Sequence, residues 1–241
     1  MIPFFRKIRK QLADNNKPIQ YLRYAIGEIV LVVIGILIAL QINNWNEQRK
    51  LDLKEKSLLA SIHEEFLKNK IQLDLTISLH NQALNGCKKL IDLFPLDIKK
   101  INLDSISLYL YNSKNAPSFN PSQGSINSII NTSSFDIIRN DTLRDLLISW
   151  PDLVTDYREN EIECRKLLNG LIEPYFSKHF DYNLNFTDKR NQLECLESLE
   201  FEYLIKIRSQ YLIYAIGENS HLPEVIQSIN DIIRLSENPI P

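Results

Sequence analysis

Ile29-Val-Leu-Val-Val-Ile-Gly-Ile-Leu-Ile-Ala-Leu40 is a run of twelve residues without one polar side chain. A helix that is apolar all round has to be covered by protein or by lipid. From Tyr24 to Trp45 the segment holds 22 residues, about 33 Å of helix at roughly 1.5 Å per residue. The hydrocarbon core of a bilayer is about 30 Å thick, so the segment can span it. Tyr21 and Tyr24 at one end and Trp45 at the other stand where interfacial aromatics sit. A buried core helix is the competing reading for a run of this length. The basic N-terminal flank and the aromatics at both ends favour a span. A cleaved signal peptide needs small residues at its cleavage site. Ala39-Leu-Gln41 is a poor match, so an uncleaved signal anchor is expected.

Whole-chain averages hide this segment. The 241 residues carry 28 Lys+Arg against 30 Asp+Glu, a net charge of −2, with a mean hydropathy of −0.20. Such values read as an ordinary soluble domain and exclude a strongly basic nucleic-acid binder. Residues 1–46 hold Arg6, Lys7, Arg9, Lys10, Lys17 and Arg23 against Asp14 and Glu28, a balance of +4 that leaves −6 for the rest. The basic excess before the span puts the N-terminus in the cytoplasm. A bacterial inner-membrane protein with a periplasmic C-terminal domain is therefore expected. Phe4, Phe5, Ile8 and Leu12 share one helical face and Arg6, Lys7, Arg9 and Lys10 the others, which suits an anionic lipid surface. The expected organisation is an interfacial segment at 1–18, a transmembrane helix at 19–46 and an extramembrane domain at 47–241.

Glu28 is the unusual residue of the span, because an ionisable group in a membrane segment is costly and often functional. It lies one turn inside Tyr24, so it can also snorkel to the interface. At roughly 100° per residue, Gly35, Ala39 and Asn46 fall on its line, with Asn43 beside it. Gly35-x-x-x-Ala39 allows close helix approach. This face (Glu28, Gly35, Ala39, Asn43, Asn46) is expected to contact a second copy or another membrane protein.

The stretch Tyr24-Ala-Ile-Gly-Glu-Ile-Val-Leu-Val-Val-Ile-Gly-Ile-Leu-Ile-Ala-Leu-Gln-Ile-Asn-Asn-Trp-Asn46 closely resembles the hallmark of an uncharacterised membrane-protein family of flavobacteria-like Gram-negative bacteria. Phe4-Phe-Arg-Lys-Ile-Arg9, Ser118-Phe-Asn-Pro121 and Asn140-Asp-Thr-Leu-Arg-Asp-Leu-Leu-Ile-Ser-Trp150 fit the same family. The resemblance implies a single-pass membrane protein with an α-helical domain. It supplies no reaction, ligand or catalytic residue.

Beyond the span, apolar residues recur at Leu51, Leu58/Leu59, Ile62, Phe66, Leu73, Ile77, Leu84, Cys87, Ile91 and Phe94, the spacing of one long amphipathic helix. This seam is out of phase with the Glu28 face, so it is expected to pack on later helices of the same chain. Those helices are expected at 104–111, at 126–130 with Ser125 as cap, and at 143–150 capped by Asn140 or Asp141. Pro151 either kinks the chain or opens a helix running to about His179, with a further kink at Pro174. Asp188 is expected to start a helix that Gly217 ends, and Pro223 one that ends at Leu235. No segment alternates with period two, so an all-α bundle of about four major helices follows. Tyr211-Leu-Ile-Tyr-Ala-Ile-Gly-Glu218 repeats residues 21–28 with one difference, but the flanks do not repeat.

No catalytic motif is present. His63, His80, His179 and His221 lack the i, i+4 spacing of a helical zinc site, and there is no nucleophile elbow or phosphate loop. No cofactor or metal is expected. His63-Glu64-Glu65 and the Glu159, Glu161, Glu163 run read as solvated helix faces. Cys87, Cys164 and Cys195 allow one disulfide plus a free thiol, or three buried residues. Phe119, Asn120 and Trp150 are the candidate recognition surface, a structural corner being the competing role. Two functions compete: a membrane-anchored interaction module, and an ion-coupled or signal-transmitting subunit using Glu28.

Overall fold

The computed structural model describes residues 18–132 and 134–237. Among them all regular structure is helical, with no strand. The helices are α1 (Pro18–Ile91), α2 (Leu103–Ser113), α3 (Gly124–Thr132), α4 (Asp141–Leu167), α5 (Glu173–His179), α6 (Leu199–Ile216) and α7 (Leu222–Ser236). A π-helical turn, Leu168–Ile172, joins α4 to α5. The interfacial candidates Phe4, Phe5, Arg6 and Arg9 lie outside the described residues, as do the side chains of Tyr21 and Tyr24.

Two compact units are present, Met1–Glu55 and Lys56–Pro241. In the first, every residue from Ile29 to Leu40 is exposed. α1 is one helix long and apolar enough to cross a membrane, and none of its apolar stretch is buried. A soluble core helix of this composition would be covered.

In the second unit, the face that α1 buries is more regular than its apolar residues alone. Ile62, Phe66, Asn69, Leu73, Thr76, His80, Ala83, Cys87 and Leu90 are all buried, in steps of four and three. That is the heptad repeat of helices packing side by side. Of the expected seam, Ile62, Phe66, Leu73 and Cys87 are buried, Leu58, Leu59, Ile77, Leu84, Ile91 and Phe94 are half-buried, and Leu51 is exposed. Apolar scanning misses Asn69, Thr76 and His80, which complete the buried line.

α4 and the first residue of the π turn carry the matching repeat. Leu143, Leu147, Trp150, Val154, Tyr157, Glu161, Cys164 and Leu168 are buried at the same four-three spacing. Phe66 meets Trp150 at 5.0 Å between ring centroids, and His80 meets Glu161 at 3.3 Å. Position numbers rise together along both helices, so α1 and α4 run parallel. Their side chains divide into two apolar clusters. Ile62, Phe66 and Leu73 join Trp150, Val154 and α7 in one, while Ala83, Cys87 and Leu90 join Leu168 and α6 in the other.

Local chemistry explains the helix ends. Asn102 Oδ1 accepts from Ser105 N at 3.0 Å and Asn140 Oδ1 from Leu143 N at 3.0 Å. Pro151 lies inside α4, which runs on unbroken. Pro174 follows the π turn, whose wider winding absorbs the missing N–H. α6 starts at Leu199 rather than near Asp188, because Ser198 Oγ accepts from Phe201 N at 3.1 Å and caps it. The expected cap at Ser125 is reversed. Glu65 Oε2 accepts from Ser125 N at 2.8 Å and from its hydroxyl at 2.9 Å, so the capping oxygen comes from α1.

Gly86 is where α1 and α2 come closest: a Cβ there would stand 2.6 Å from Tyr109 O and 3.1 Å from Ser113 N. Both are backbone atoms, so the helices would have to part. Gly86→Ala is expected to cost about 1–3 kcal/mol of stability, seen as a lower thermal midpoint by circular dichroism. Gly170→Ala, in open space, serves as the control and should leave the midpoint unchanged or raise it.

Candidate functional site

Between the two apolar clusters lies a buried polar layer, built where three helices meet the connection from α2 to α3. That connection, Lys114–Gln123, enters the interior and forms neither helix nor strand. Its backbone groups therefore need partners from elsewhere, since a buried unpaired N–H or C=O is costly. Side chains supply them at several of its residues.

α6 provides Arg208, which is fully buried. Its Nε donates to Ser113 O at 3.1 Å and its Nη2 to Asn115 O at 2.7 Å. Its Nη1 reaches both Cys164 O and Cys164 Sγ at 2.8 Å. α4 provides Arg165, which donates to Ala116 O at 3.3 Å. It also provides Glu161, whose Oε2 accepts from Ser118 Oγ at 3.0 Å and Phe119 N at 2.9 Å. α1 provides Asn69, which donates to Ser122 O at 2.9 Å and accepts from Ser122 N at 2.8 Å. His80 Nε2 closes the layer on Glu161 Oε1.

The electrostatics follow from burial. Glu161 is 1% exposed, and three donors surround its carboxylate. Burial, and then the neighbouring Glu161 charge, push the Tyr157 phenol well above its ordinary range. Burial pushes the Cys87 thiol up to about 12, with the Arg208 cation pulling the other way. The same two influences act on Cys164, burial again dominating. Such thiols are poor nucleophiles, and Cys87, Cys164 and Cys195 are all free. Among the described residues, no three His, Cys, Asp or Glu side chains converge on a metal position.

The structure reassigns several residues read from sequence. Phe119 and Trp150 are fully buried and cannot form a recognition surface, because their rings pack 6.3 Å apart in the core and Phe119 also meets Tyr157 at 6.2 Å. Asn120 alone of that trio is exposed. Glu161 is not part of a solvated face, whereas Glu159 and Glu163 are exposed. His63 bonds Ile233 O at 3.0 Å, so His63-Glu64-Glu65 is also not a plain solvent face. Gly35, Ala39, Asn43, Asn46 and Trp45 are exposed on α1, and Glu28 is half-buried. Because α1 is unbroken from Pro18, their helical spacing holds.

Glu161, His80, Asn69 and Arg208 were not singled out by motif. Their signal was spacing: Glu161 falls at the four-three interval after Tyr157, and His80 at that interval after Thr76.

Glu161→Ala is expected to cost about 3–5 kcal/mol, since it strands Ser118, Phe119 N–H and His80 in the interior. Hydrogen exchange should show residues 114–123 losing protection first. Glu159→Ala, on the exposed side of the same helix, should shift stability by no more than about 0.5 kcal/mol. Maleimide at pH 8 is expected to label neither Cys87 nor Cys164 until denaturant is added, read by mass spectrometry.

No curated protein and no solved structure matches this chain. A family model does match, described as Family of unknown function (DUF6090), over residues 28–210. The match takes in the apolar run of α1, the Ser118-Phe-Asn-Pro121 segment, α4 and the capping Ser198. The chain therefore belongs to this family of unknown function.

Proposed function

We propose that this protein is a single-pass, membrane-anchored interaction module that carries no catalytic activity of its own. Its apolar α1 segment spans the bacterial inner membrane, and its helical bundle lies on the periplasmic side. One observation carries the reading: Ile29–Leu40 is apolar on every face and exposed on every face. A helix of that kind is stable only in lipid or against other apolar helices. The basic residues before the segment orient it with the N-terminus inside. The family match begins at residue 28 and includes the whole apolar run, which supports an anchor rather than a removed leader.

In this reading the Glu28, Gly35, Ala39, Asn43 and Asn46 face packs on another transmembrane helix, either a second copy or a partner subunit. Gly35 supports it in a specific way. Among the described residues no atom lies within 4 Å of where its Cβ would stand beyond its own helical turn, so no described packing contact calls for a glycine there. The missing side chain does serve close approach by a neighbouring helix.

The tests follow. The protein should stay in the membrane pellet after alkaline extraction, and release into the supernatant would defeat the anchor. A reporter active only in the periplasm should work when fused at Pro241 and fail when fused before the span. Gly35→Leu with Ala39→Leu should cut association at least about ten-fold in a membrane two-hybrid assay, a change equal to about 1.4 kcal/mol. Membrane level should stay the same, and unchanged association would remove the contact face.

A further inference from the structure

A heptad repeat specifies a face and leaves the axial position open, because a shift of seven residues puts apolar knobs back into apolar holes. α1 and α4 both carry such repeats and run parallel, as Phe66–Trp150 and His80–Glu161 show. On apolar packing alone, α1 has neighbouring registers one heptad away in either direction. The polar members break this equivalence. A shift of one heptad would put Leu73 or Cys87 where His80 meets Glu161. It would put Ile62 or Thr76 where Asn69 holds both backbone groups of Ser122.

We propose that Asn69 and the His80–Glu161 pair form a register lock, a device that selects one axial setting of α1 against α4 and the 114–123 segment. The lock works by penalty. In either shifted register the buried Glu161 loses its His80 partner, and the buried Asn69 amide is carried away from the backbone groups of Ser122 that satisfy it. Unpaired polar groups in the interior are costly. Buried polar residues at heptad positions have this use elsewhere, where one of them sets register at some cost in stability. The two polar sites lie eleven residues apart on α1, so each checks the other. His80 reads α4, and Asn69 reads the connecting segment.

Cysteine cross-linking of the full chain in detergent tests the lock, with Cys195→Ser as background and the buried Cys87 and Cys164 kept. Glu65 contacts Ser125 in the native register, so the pair Glu65→Cys with Ser125→Cys reports that register. Leu58→Cys or Gln72→Cys paired with Ser125→Cys reports a shift of one heptad. In the otherwise native chain only the Glu65 pair should cross-link efficiently. With Asn69→Leu and His80→Leu added, a Leu58 or Gln72 pair should rise about ten-fold while helix content by circular dichroism is kept. If the Glu65 pair alone still forms, Gly86 and the loops set the register and the lock is overturned. Loss of helix content would overturn it too, because the proposal holds that an all-apolar seam still packs. Glu161→Gln keeps the shape of the site, and its amide N–H can still pair with His80 once the imidazole takes the Nδ1–H tautomer and accepts at Nε2, so cross-linking should stay in the native register. A shift in that variant would mean that charge, and not hydrogen-bond pairing, sets the position.

Discussion

A peptide segment that dips into an interior must have its buried amides satisfied, and here that rule organises the bundle. Lys114–Gln123 is half-buried for most of its length, with Phe119 buried and Asn120 and Ser122 exposed, and it lacks the ladder that helices or strands provide. The chain answers with Arg208, Arg165, Glu161 and Asn69, each aimed at the backbone of this segment or its ends. The positions of α1, α4 and α6 are tied to that segment because each contributes a side chain to it. The aromatic core is organised around the same strand of chain, since Phe119 is carried into the contact with Trp150 and Tyr157 by the peptide that Glu161 holds.

The layer also separates two kinds of stabilisation. The clusters on either side gain from burial of apolar area, which is insensitive to exact direction. The layer itself gains little in net free energy, because desolvating Glu161 and Arg208 offsets much of their bonding. Its contribution is directional. Removing one partner is costly because the others cannot be rehydrated where they sit.

Legibility followed the same division. The long helix after the apolar run, the all-α class and the caps at Asn140 and Gly217 could be read from sequence, because apolar period and capping chemistry are local. The start of α6 was misplaced because Ser198, in Leu-Glu-Ser-Leu, gives a weaker signal than Asp188, which the chain spends on a turn with Arg190. The buried role of Glu161 was hidden by its neighbours: Glu159 and Glu163 make the stretch look like a charged surface. Only the face each residue occupies separates them, and a composition scan does not weigh faces. Phe119 and Trp150 failed as surface candidates for a related reason. A large aromatic beside proline can mark a recognition loop or a folded-in corner, and a distant glutamate decides between them.

The two matching repeats leave a mark on how such a chain can change. At Leu73 or Val154 a volume-conserving swap is absorbed by neighbours of the same character. His80, Glu161 and Ser118 drift less independently, since the one Glu161 carboxylate accepts from both of the others. Viable variation there has to arrive as a set, so these positions should move together or stand still across related chains, while the apolar positions around them vary one at a time.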